Sequence, residues 1–129
     1  MSSSLQDIKI DELCNSIIGI NKNIQSVTVI NKLGRSVEKV TRSGSLKHLP
    51  EPKDEMFCMH CVLEISLGKD FDSEYGTINY HLSERKNLTT MTIPMRDYVL
   101  LVTTKKDTSP ISLAKKIVTT INGYETSQF

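Results

Sequence analysis

Residues 54–69, DEMFCMHCVLEISLGK, decide how the rest of the chain must be arranged. At about 100° per residue, Met56, Met59, Leu63 and Leu67 fall on one stripe of a helix. Phe57, Cys58, Cys61, Val62 and Ile65 fill most of the opposite side, and only a wedge of Lys53, His60 and Glu64 stays polar. A surface helix normally hides one apolar stripe; a helix that is apolar nearly all round needs covering on two sides. In a small domain one cover is the domain's own sheet. A second copy of the chain is the simplest source of the other.

The flanks fit a helix at this position. Pro52, Asp54 and Glu55 suit a helix entrance, because proline costs little in the first turn and carboxylates favour the positive end of the dipole. Gly68 is expected to stop the helix, leaving residues 69–76 as an acidic link. Residues 77–84 then alternate, with Ile78, Tyr80 and Leu82 on one face of a strand and Thr77, Asn79, His81 and Ser83 on the other. After the turn at 85–87, residues 88–93 form another strand that Pro94 ends. Residues 98–102, YVLLV, are apolar on both faces, as the central strand of a doubly covered sheet should be. A last helix enters through Thr108, Ser109 and Pro110, buries Ala114, Ile117, Val118 and Ile121, and is expected to end at Gly123.

Upstream, from Asp7, Ile10, Leu13, Cys14, Ile17 and Ile18 space out an amphipathic helix that runs to about residues 21–23. Residues 24–30, IQSVTVI, read as a strand, and a turn at 31–34 places Gly34 where positive φ is needed. Residues 35–41 return as a sparser strand suited to a sheet edge, and residues 42–53 are a connection. The order is helix, two strands, helix, three strands, helix. The fold class expected is α+β, a five-stranded antiparallel sheet flanked by helices, in one domain spanning residues 1–129 with tails at 1–6 and 124–129.

Composition excludes several classes. With 38% hydrophobic and 24% charged residues the chain is globular rather than fibrous or disordered. The net charge is only +1, although acids outnumber bases seven to two over residues 51–75. The lysines are dispersed, and the basic strand at 35–42 with Lys47 has no interleaved aromatic, so nucleic acid is not the expected partner. Three cysteines and the polar start Met-Ser-Ser-Ser argue against a secreted disulfide framework, and no apolar run nears the roughly 20 residues that span a bilayer. A cytoplasmic protein without membrane contact is expected.

Cys58, His60 and Cys61 invite a metal reading, since thiolates and imidazole suit Zn²⁺. On a helix, however, the two thiols share one face and His60 points to the Glu64 wedge, while Cys14, His48 and His81 stand far along the chain. Core packing for the cysteines and an i, i+4 pair for His60 and Glu64 account for them better. Asp70, Asp72 and Glu74 lack the spacing of a calcium loop. No nucleophile elbow or phosphate loop occurs. Neither catalysis nor a cofactor is expected.

The element order, with the strand and turn at 24–34 (IQSVTVINKLG) and the segment 92–103 (TIPMRDYVLLVT), resembles the roadblock/LC7 family across most of the chain, and an uncharacterised archaeal group carrying that domain. The resemblance implies a non-catalytic dimeric platform, a homodimer or a pair with a related chain, that regulates or recruits a small Ras-like GTPase. It implies that the helix at 54–69 and the strand at 77–84 meet the same elements of a partner. The expected interface is Phe57, Cys61 and Ile65, or else Met56, Met59 and Leu63, with Thr77, Asn79, His81 and Ser83 on the strand. Because the architecture is also similar to profilin and PAS-like sheets, a small-ligand sensor is the alternative, to be favoured by an apolar pocket with a few convergent polar groups.

Overall fold

The computed structural model describes residues 2–44, 49–106 and 109–128; Lys47, His48 and Thr108 lie outside them. Helix α1 (Ser2–Ile18) leads into strands β1 (Ile24–Asn31) and β2 (Ser36–Thr41), helix α2 (Glu51–Gly68), and a 3₁₀ turn at Lys69–Phe71. The short helix α3 (Asp72–Tyr75), strands β3 (His81–Glu84), β4 (Thr89–Pro94) and β5 (Tyr98–Thr104), and helix α4 (Pro110–Gln128) follow. The five strands form one antiparallel sheet in the order β2-β1-β5-β4-β3. The expected class and element order are therefore present, with the apolar 98–102 run in the centre and the sparse strand at an edge.

Helices lie on both faces of the sheet. On one, Ile10, Leu13, Cys14 and Ile17 of α1 and Leu113, Ala114, Ile117 and Ile121 of α4 pack with Val27, Val29, Met91, Leu100 and Val102. On the other, α2 packs on Ile30, Val99 and Leu101. Period-two alternation explains the split along β5, where Leu100 and Val102 face one layer and Val99 and Leu101 the other.

Element ends differ from the sequence reading where local signals were outweighed. Helix α1 extends upstream of Asp7 to Ser2, and α4 continues through Gly123 to Gln128. Gly123 keeps negative φ, so nothing there terminates a helix. The β1–β2 turn matches its reading: Gly34 has φ of 84°, and the Asn31 side-chain oxygen accepts from the Leu33 and Arg35 amides at 3.0 Å each.

Arg42, just past β2, ties this edge to the end of α1. Its guanidinium donates to the carbonyl of Ile18, which the end of α1 leaves without an intrahelical partner, and to those of Asn21 and Ile24 in the connection and at the start of β1. Arg42→Met keeps the apolar stem but removes every donor. It should lower stability by about 2–3 kcal/mol, read as a shift of the urea midpoint; an unchanged midpoint would mean that water serves these carbonyls equally well.

Candidate functional site

The two stripes of α2 have different fates. Cys58, Cys61, Val62 and Ile65 are buried against the chain's own sheet, with Phe57 and Ile78 half-buried beside them. Met56, Met59, Leu63 and Leu67 point away, 68%, 41%, 51% and 66% exposed. Of the two alternatives weighed from the sequence, Cys61 and Ile65 are spent within the protomer, and the methionine–leucine stripe is what the fold leaves open. Met59 also lies over Gly34, where a Cβ would fall 2.6 Å from its Cε, so the β1–β2 turn props this stripe.

The helical path runs further than the sequence suggested. Gly68 does not release the chain into a link: its φ and ψ of −64° and −25° stay helical, and the 3₁₀ turn and α3 follow. Phe71 and Tyr75 follow Leu67 at i+4 spacing and are 58% and 88% exposed, with Phe71 at the non-helical junction (φ −110°, ψ 10°) between the 3₁₀ turn and α3. That spacing was present in the sequence, masked by the expectation that glycine ends the helix. Gly68 is instead small because Ile78 packs onto it, so that an added Cβ would collide with Ile78 Cδ1. The chain leaves α3 at Gly76, with φ of 84°.

The strand at 77–84 is shorter than expected, since only His81–Glu84 joins the sheet. Drawn toward Gly68, Ile78 packs in the α2 layer, whereas Tyr80 and Leu82 pack on the α1/α4 layer. The single apolar face read over Ile78, Tyr80 and Leu82 is thereby broken. Thr77 and Asn79 are exposed before β3, and His81 and Ser83 are half-exposed on the α2 side of the sheet. Among the described residues β3 pairs only with β4, so its outer edge is open. Glu64 connects helix and edge: one carboxylate oxygen lies 3.4 Å from His60 Nε2 and the other 3.6 Å from His81 Nδ1.

The cysteines are built for packing. Burial pushes the Cys61 thiol up to about 11, a Thr92 hydrogen bond opposing it, and the Cys14 thiol up to about 12, with Glu38 and Asp11 adding to burial. Burial raises Cys58 as well. Such thiols stay protonated near neutrality, the opposite of what nucleophilic or metal-binding cysteine requires. No group of three or more His, Cys, Asp or Glu among the described residues could hold a metal ion. Because the folded values lie above the ordinary 9.0, the unfolded chain loses these protons first. Stability is therefore full below pH 9 and falls as pH rises toward 11–12. Cys14→Ala should flatten this alkaline decline by about 1.4 kcal/mol per pH unit in urea titrations; an unaltered slope would show that Cys14 ionises freely.

No protein-family model matches the sequence, and no curated protein matches it. Solved structures do. Myxococcus xanthus MglB superposes with a TM-score of 0.70 at 13% identity, covering 93% of this chain and 86% of that one. A roadblock/LC7 domain from Streptomyces avermitilis gives 0.65 at 12% identity over 91% and 98%. A structure described as MglB with tetrameric arrangement gives 0.64 at 6% identity over 88% of each chain. The fold is that of roadblock/LC7 domains.

Proposed function

We propose that this chain, built on the roadblock/LC7 fold, is a non-catalytic interaction module that works as a homodimer through the outer stripe of α2 and the edge of β3. The observation that carries the reading is the apolar line Met56, Met59, Leu63 and Leu67, left open by a helix whose other side is already buried, with Phe71 and Tyr75 exposed just beyond its end. Fully burying a side chain of this size contributes about 1.5–3 kcal/mol, so the four on α2 are ample for a stable self-association. A two-fold axis sets the same strip on both partners, and the free edge of β3 offers backbone donors and acceptors beside it.

The tetrameric arrangement reported for one MglB structure supports assembly as the mode of action on this fold. The family resemblance extends the reading to a platform that recruits or regulates a small Ras-like GTPase in the cytoplasm. No helix among the described residues is long and apolar enough to cross a membrane.

Mixed samples of methyl-labelled and unlabelled copies test the geometry. Intermolecular nuclear Overhauser contacts should appear at the methyls of Met59, Leu63 and Leu67. Contacts confined to the α1/α4 side would overturn the assignment. Recruitment is tested separately, with purified Ras-like GTPases in GDP and GTP-analogue states; equal failure of both to bind would remove that extension and leave the dimer intact.

A further inference from the structure

The sheet face beneath α2 changes character along its strands. Paired positions define one row of Lys39, Thr28, Leu101, Thr92 and His81, and a next row of Thr41, Ser26, Thr103, Thr90 and Ser83. The second row places a hydroxyl on each of the five strands. A floor sealed by an apolar helix would be apolar, as it is where Ile30 and Val99 meet Cys61 and Ile65. The N-terminal half of α2 does not close over the hydroxyl row. A cleft of about 500 Å³ remains there, walled by Leu49, Met56, Phe57, Leu88 and Leu101.

Its floor is ordered and its mouth is cationic. Ser26 and Thr103 share a 2.6 Å hydroxyl–hydroxyl bond, and Thr28 and Thr90 are buried beside them. Lys53 stands one turn before Phe57 on the same side of α2, and the Arg85 guanidinium lies 5.9 Å from the centre of the Phe57 ring. Lys39 is matched by Asp54 at 3.4 Å. Among the described residues Lys53 and Arg85 have no carboxylate at ion-pair distance.

We propose that this cleft binds a small organic anion, with a flat apolar body seated between Phe57 and Leu101 over the hydroxyl row and an acidic group held by Lys53 and Arg85. The volume falls within the range of about 300–1,000 Å³ usual for small-molecule sites, and apolar walls with a few orienting polar groups are their ordinary construction. The uncompensated pair of cations selects the charge of the ligand, and the hydroxyls orient its body. The cleft is formed within one chain, and of its lining residues Met56 alone also belongs to the proposed dimer stripe.

Anilinonaphthalene sulfonate, an aromatic anion, is a suitable probe, titrated into the folded protein and followed by amide chemical shifts and fluorescence. One molecule per chain should bind and shift the amides of Ser26, Thr28, Thr90 and Thr103. The surface double variant Lys53→Gln/Arg85→Gln should bind about tenfold more weakly, as should the uncharged analogue phenylnaphthylamine with the native chain. Ser26→Phe should fill the cleft and abolish binding; if it does not fold, the surface variant decides. Shifts confined to the outer stripe of α2, or equal binding by the uncharged analogue or the double variant, would overturn the proposal. Leu63→Asp should leave the affinity unchanged, which separates a failed cleft from a failed dimer.

Discussion

Leu63→Asp is expected to give a folded, soluble monomer. Leu63 is 51% exposed in the single chain, so a carboxylate there is hydrated and costs the protomer little. In the proposed dimer it sits midway along the shared strip, and two-fold symmetry buries it twice. Leaving a buried charge without a partner costs about 3–5 kcal/mol, enough to weaken association roughly a hundredfold or more. The far-ultraviolet spectrum and the cooperativity of unfolding should stay native while the mass halves. A variant that associates as tightly as the native chain would take the outer stripe out of the interface.

The second large effect lies two residues away in sequence and on the other side of the helix. Cys61→Asp should abolish folding rather than association. Cys61 is 2% exposed, on the sheet-facing side of α2 and beside Thr92, where a carboxylate would be cut off from water. The same penalty of about 3–5 kcal/mol then falls on the protomer, against a total stability of about 5–15 kcal/mol for domains of this kind. Cys61→Val, close in volume and apolar, should cost less than about 1.5 kcal/mol. Urea unfolding and exchange protection of the α2 amides report the difference. A folded Cys61→Asp beside an unfolded Leu63→Asp would mean that α2 is turned the other way.

Much of this was legible in the residues themselves. Periodicity distinguished strands from helices, the doubly apolar 98–102 run marked the central strand, and the excess of apolar residues on α2 announced a helix with more apolar surface than its own sheet covers. Which stripe faces inward was not legible, because Cys61 and Ile65 differ little from Met59 and Leu63 in hydrophobicity. The sheet decides it, presenting Ile30, Val99 and Leu101 to the narrower cysteine side.

The helical turns beyond residue 68 were hidden because glycine there reads as a stop. Its real role is steric and involves Ile78, ten residues later. The same contact breaks the alternation over 78–82, a tertiary effect that no local pattern carries. The cleft was hidden for a related reason. Ser26, Thr90 and Thr103 lie in separate strands, and only the register of the finished sheet brings their hydroxyls into one row.

The solution mass of the native chain, measured by light scattering over a dilution series, bears most directly on the proposed dimer. Twice 14.5 kDa, relaxing toward 14.5 kDa only on dilution, is the expected result. A mass of 14.5 kDa at every concentration up to the solubility limit would contradict it.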